Sequence, residues 1–502
     1  MATSGGIPAT YGGKIMLRRA RLLAAAACLV AVSATASHQP GVPQDDRVFP
    51  IGDSGSFDPV PGLTDIIVED IDSHGAIYRY EVPVNWNGDL VMYAHGFRGC
   101  IADAASGALV PLTVDNPPLR EYYLLRGYAW AASSYSKNCY DVKDGVESTN
   151  RLARIFSREV GAPNRTLITG FSMGGHVTGA AIEMFPNYRC PEGRRGRLCR
   201  RFVRVLGKLS GGVKYDGAAP MCGVMGDVEL FNYFGDFAYG AEALAAEINP
   251  FVRSQFPPPD DYATTTLPLV IGTLYSNNGA GFPSELTPQG EQLINLLRNI
   301  SGGDRPVYAQ AWPVFQALLY SFAGSDGTVD GVLSGNIYEN RRRIYQLDTD
   351  PAINSGEAAL NELILRVGRD RNVNRRRFLQ LQRVPELTGS ISIPVLSVHT
   401  LGDLFVPFKM QQIYAEEAAF WGRSDLLVQR ATRAIGHCEF SPEELVQTFD
   451  DLVLWVNEGV RPEGDDILDP ETLASPTYGC QYTVGATGQT PDVLRTGVCA
   501  PQ

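Results

Sequence analysis

Arg165-Thr166-Leu167-Ile168-Thr169-Gly170-Phe171-Ser172-Met173-Gly174 is the stretch on which the reading of this chain turns. Residues 165–169 read as a short apolar strand, and a helix can start at Met173 and run through residues 176–182. Between them a serine is flanked at two residues' distance by glycines. A turn this sharp strains the backbone of the central residue and leaves no room for side chains at the glycine positions. In return Oγ stands clear of the sheet, and the next N–H points where negative charge would develop on a bound carbonyl oxygen. The five-residue pattern alone is common; its strand-turn-helix setting makes it a nucleophile elbow.

A second set of residues lies far downstream. Ile393-Pro394-Val395-Leu396-Ser397-Val398-His399 reads as a buried strand that runs into a loop carrying Asp403. Residues 426–432 form another strand candidate, followed by Gly436-His437-Cys438-Glu439-Phe440 and a capped helix from Ser441 to about residue 456. Histidine has the unperturbed pKa nearest neutrality, so it can take a proton from a hydroxyl and return it to a leaving group. Among the histidines, His38 is beside the N-terminal leader, His74 is in a turn, His176 is on the elbow helix and His399 is inside a strand. His437 is the candidate base. Asp403 competes with Asp326, Asp330, Asp450 and Asp451 for the acid, and its place between a strand and the histidine segment favours it.

The order Ser172…Asp403…His437, each in a loop after a strand, resembles that of the α/β-hydrolase superfamily over nearly all the chain beyond its leader. The resemblance implies an α/β fold, a mostly parallel sheet with helices on both faces, and a mainly helical cap inserted after the strand that follows the elbow helix. It also implies a serine hydrolase in which Ser172 is nucleophile, His437 base and Asp403 its orienting acid. One oxyanion donor is expected from the N–H of Met173. The superfamily's His-Gly motif, here His95-Gly96-Phe97, assigns the other to Phe97, with Arg98 next in line.

Composition bounds the rest. The 502 residues are 44% apolar and 20% charged, as in globular proteins, and suffice for one large domain with an insertion or for two to three ordinary domains. Lys14, Arg18, Arg19 and Arg21 precede the apolar run 22–32 and the small residues Ala34-Thr35-Ala36, the layout of a signal peptide over 1–36. Met1 and Met16 are both open as starts, and Cys28 raises a lipid-anchored alternative. Export, to the medium, periplasm or cell surface, also suits the cysteines. Cys28 leaves with the leader, and Cys100, Cys139, Cys190, Cys199, Cys222, Cys438, Cys480 and Cys499 remain. Location pairs Cys190 with Cys199 and Cys480 with Cys499. It pairs Cys100 with Cys139, and Cys222 with Cys438, across loops that should end on one face.

The net charge of −12 gives no reason to seek nucleic acid. Arginines at 189, 194, 195, 197, 200, 201 and 204, and again at 375–377, read as solvated or internally paired faces, although either cluster could touch an anionic polymer. No spacing argues for metal, dinucleotide or nucleotide, and no later run for stable membrane insertion. No cofactor is expected.

Along the chain, 37–62 is a Pro/Gly-rich lead-in and 63–222 the first part of the core, with strands at 65–71, 76–84, 89–94, 128–134 and about 205–222 and helices at 117–126 and 145–160. From 223 to 387 the strand rhythm gives way to helices at 228–248, 287–300, 307–323 and 356–366, the expected cap. Phe231, Tyr233, Phe234, Phe237 and Tyr239 either wall a pocket or fill the cap's own core. The core resumes over 388–462, and 463–502 reads as a small disulfide-stapled tail. The parts suit hydrolysis of small-molecule or polymeric esters through an acyl-enzyme. Peptide or amide cleavage and acyl transfer are alternatives, and a catalytically silent binding module is a reading of another class. Tannases and feruloyl esterases share the His-Cys step seen at His437-Cys438; their disulfide runs to a cysteine directly before the serine, where this chain has Phe171. Oligomeric state stays open.

Overall fold

Short apolar strands alternating with amphipathic helices build the core, and a computed structural model describes residues 47–103, 105–184, 212–375 and 381–499 of it. The expected leader, the Cys190–Cys199 pairing with its arginines, and Arg376-Arg377 lie outside these residues. Strands β1 (Thr64–Ile71), β2 (Ile77–Pro83) and β3 (Leu90–Ala94) come first, then a small hairpin, β4 (Ile101–Asp103) and β5 (Ala108–Leu109). Helix α1 (Arg120–Leu125), β6 (Ala129–Ser133), α2 (Val142–Glu159), β7 (Thr166–Phe171), α3 (Met173–Glu183) and β8 (Gly217–Met221) follow. Of the expected strand at about 205–222, residues 205–211 lie outside the described residues, and among the rest the strand is Gly217–Met221.

The main sheet has eight strands in the order β1-β2-β6-β3-β7-β8, then β9 (Val395–Thr400) and β10 (Leu427–Thr432). β2 is antiparallel to both its neighbours, and every other neighbouring pair beyond it is parallel. This is the α/β-hydrolase fold. Residues of β3, β6, β8, β9 and β10 are buried throughout, because helices cover both faces of a parallel sheet. Parallel neighbours leave all their carboxyl ends on one edge, and the loops after β3, β6, β7, β8, β9 and β10 therefore gather there.

Between β8 and β9 the chain adds α4 (Glu229–Ala246), α5 (Thr266–Leu274), α6 (Pro288–Ile300), α7 (Tyr308–Phe322) and α8 (Ser355–Leu363). Four of these match the expected helices. α5 does not, since Thr-Leu-Pro-Leu-Val-Ile-Gly carries residues of low helix propensity and is helical through its packing on α4 and α6. The α4 aromatics differ in burial. Tyr233, Phe237 and Tyr239 are buried, with Phe237 5.1 Å from the Tyr320 ring, whereas Phe231 and Phe234 are half-buried. After β9 come α9 (Lys409–Phe420), also unforeseen, and, after β10, α10 (Pro442–Glu458). Ser441 and Glu444 close a capping box at the start of α10, and Gly459 ends it in the left-handed conformation. Among the described residues no helix is long and apolar enough to cross a membrane.

Candidate active site

Ser172 occupies the turn between β7 and α3 with φ 58° and ψ −122°, a conformation that costs energy for any residue but glycine. The glycines make it possible. A Cβ on Gly170 would lie 2.2 Å from the Gly174 carbonyl oxygen, and one on Gly174 only 2.1 Å from that of Ala94. Gly175 lets α3 approach the loop after β8, where a Cβ would fall 2.4 Å from the Cα of Gly223. Gly174→Ala is therefore expected to destabilise the protein by about 3 kcal/mol, read from the denaturant midpoint, because its obstacles, the carbonyls of Ala94 and His95, are backbone.

The loop after β3 lies directly over the serine: a Cβ on Gly96 would be 3.3 Å from that of Ser172. Among the described residues, neither the N–H of Met173 nor that of Phe97 finds a hydrogen-bond acceptor. Tyr135 donates to the His95 carbonyl at 3.0 Å and stacks on its ring at 3.9 Å, which fixes this loop from beneath. Cys100–Cys139 ties the same loop to the one after β6.

On the other flank Asp403, fully buried, stands 2.5 Å from His437, Oδ2 to Nδ1. Its Oδ1 accepts the N–H groups of Phe405 at 3.0 Å and Val406 at 2.9 Å. The segment between β8 and β9 grips this acid loop, as Tyr233 donates to the Leu404 carbonyl at 2.8 Å and Arg305 to that of Leu401 at 2.7 Å. Cys222–Cys438 joins the end of β8 to the residue after His437. Cys222 and Cys438 both have positive φ, 43° and 54°, so strain gathers at this point of the fold as it does at Ser172. Losing the bridge in a Cys222→Ala/Cys438→Ala variant is expected to cost about 2–4 kcal/mol, measured by chemical unfolding. Reagent-accessible thiols at both positions in the native chain would contradict the pairing.

The rival aspartates are engaged elsewhere, and of the rival histidines His399 lies with Nε2 3.8 Å from Asp403 Oδ2 and 2.8 Å from the Val406 carbonyl. Asp330 pairs with Arg47, Asp450 with Arg126, Asp451 with Arg430, and Asp326 holds Thr328. His95, His176 and His399 are fully buried, and burial pushes each down to about 4, so all three are neutral near pH 7. His74 is exposed in its turn. The Nε2 of His437 lies 3.4 Å from Cys438 Sγ, and Ser172 Oγ makes no hydrogen bond among the described residues.

Aromatic rings line the two flanks. Phe234, Phe322 and Phe405 form a near-parallel group, with centroids 4.3 Å apart for the first two and 5.9 Å for the last two, and the Phe405 ring meets that of His437 edge-on at 5.2 Å. Phe97, 46% exposed, and Phe231 flank Tyr140 on the other side. Sequence reasoning did not single out Phe322, Phe405 or Tyr140, since no local pattern marks a ring that reaches a site from a distant element.

The sheet order and the strand-turn-helix elbow are those of the α/β-hydrolase fold. No family model matches the chain. It is 23% identical over 442 residues to an o-phthalyl amidase of Xanthobacter agilis, covering 78% of this chain and 88% of that protein. Among solved structures, feruloyl esterase B of Aspergillus oryzae aligns at 14% identity and TM-score 0.44, over 86% of this chain and 91% of its own. A rice cell wall degrading esterase of Xanthomonas oryzae aligns at 13% identity and TM-score 0.31, over 78% and 88%.

Proposed function

We propose that this chain is an exported serine hydrolase that cleaves carboxylic esters through Ser172, His437 and Asp403. The observation that carries this reading is the Asp403–His437 hydrogen bond, bridged through Cys222–Cys438 to the strand beside the Ser172 elbow. Asp403 accepts a hydrogen bond from the Nδ1–H of His437 and so leaves Nε2 as the base. Ser172 Oγ attacks the acyl carbonyl as its proton passes to Nε2. The negative oxygen is held by the N–H groups of Met173 and Phe97, each worth ~3 kcal/mol in sites of this kind. His437 then protonates the departing alcohol, and a water deprotonated by the same nitrogen releases the acid. The reading requires Nε2 to exchange its contact with Cys438 for one with Ser172 Oγ, a tightening typical of substrate-filled sites.

Three disulfides among the described residues support export. The ring-lined flanks support a substrate with an apolar or planar group on at least one side of the scissile bond. An amide is the second reading, favoured by the likeness to o-phthalyl amidase. The test is fluorophosphonate labelling of Ser172, followed by matched p-nitrophenyl esters and aryl amides. Labelling with faster ester turnover supports the first reading and faster amide turnover the second, while a chain that neither labels nor turns over refutes both.

A further inference from the structure

The residues after α10 turn back onto the histidine loop. Arg433, at the exit of β10 and 4% exposed, donates from Nη1 to the carbonyls of Pro476 and Tyr478, both at 2.9 Å, and from Nε to that of Leu494 at 3.0 Å. Its own N–H donates to Thr483 Oγ1 at 2.8 Å. The N–H of Ile435 donates to Thr490 Oγ1 at 2.8 Å. Beyond His437 the chain reaches helix α10, where Glu444 forms a buried ion pair with Arg495 of the tail. Cys480–Cys499 closes the tail across these contacts.

Glu439 is the centre of the arrangement. Two residues after His437, its Oε2 accepts the N–H of Gly436 at 2.8 Å and the hydroxyl of Thr490 at 2.7 Å. Its Oε1 accepts the Thr487 hydroxyl and the N–H groups of Gln489, at 3.2 Å, and Thr490. One carboxylate thus joins the residue before His437 to three residues of the tail through charge-assisted hydrogen bonds. No acid in this network touches the imidazole. The network fixes the backbone on both sides of it.

We propose that the tail is a built-in positioning element for His437, with Glu439 as its positioning residue. This rests on the reading of His437 as the base. Removing the clamp leaves the Asp403 bond and the disulfide in place but frees the peptide units flanking the ring, and small displacements of a base cost much of its rate.

The experiment uses the full-length chain with Glu439→Gln and, separately, Thr490→Val. The rate and the final extent of fluorophosphonate labelling are followed beside kcat and KM for p-nitrophenyl acetate. In both variants labelling should reach one equivalent, while its rate constant and kcat fall together by about 10- to 100-fold and KM stays within about two-fold. Thr490→Val keeps shape and carboxylate, so it carries the test if Glu439→Gln does not fold. A lower final extent with the remaining molecules reacting at the wild-type rate would mean that the tail only stabilises the fold, and would overturn the proposal, as would unchanged rates. Wild-type protein that fails to label would instead refute the hydrolase reading on which the proposal stands.

Discussion

Ser172→Ala is expected to fold normally and to lose ester hydrolysis, with kcat/KM falling about 10^5- to 10^6-fold. The hydroxyl is the only group removed, and Oγ makes no hydrogen bond among the described residues, so stability has little to lose. The strained backbone angles persist, because alanine pays them as serine does and the glycines that permit the turn are untouched. On the proposed mechanism no acyl-enzyme forms without Oγ, and the oxyanion donors alone give only weak catalysis of direct water attack. His437→Gln should fall nearly as far. Initial rates on a p-nitrophenyl ester, with circular dichroism and thermal unfolding as controls, measure the effect. Wild-type turnover in either variant would overturn the assignment.

Asp403→Asn is expected to lower kcat about 10^4-fold near neutral pH and to leave turnover measurable above background. The direction follows from the hydrogen bonds of the two carboxylate oxygens. Oδ1 receives two backbone N–H groups, from Phe405 and Val406, so an asparagine places its carbonyl oxygen there and its NH2 toward His437. The NH2 then donates to Nδ1, which moves the imidazole proton to Nε2, the nitrogen that accepts the Ser172 proton in the proposed mechanism. The opposite amide orientation would set NH2 against two donors. A variant with unchanged kcat would remove Asp403 from the relay. Nuclear magnetic resonance of the imidazole nitrogens reads the tautomer directly.

Much of this was legible in linear order. The elbow announces itself because steric demands at Gly170 and Gly174 act within five residues, and the strand and helix around it are local patterns. The strand before Asp403 and the capped helix after His437 are equally local, and the disulfide partners Cys222 and Cys438 follow from their positions after strands that end on one edge. Strand ends were less legible, as at β8, where pairing with β7 and β9 sets the limits. α5 escaped because its propensities point away from a helix and its neighbours override them.

Residue chemistry along the chain was therefore enough to specify the class of sheet, the strained serine and the acid that meets His437. Each of these depends on periodicity, turn sterics or position relative to a strand end. Folding alone brought Phe234, Phe322 and Phe405 into one wall, gave Phe231 and Tyr233 different faces of one helix, and laid Thr487 and Thr490 on Glu439. These contacts join segments tens to hundreds of residues apart. Their energies come from packing and from desolvated hydrogen bonds, which no local pattern encodes.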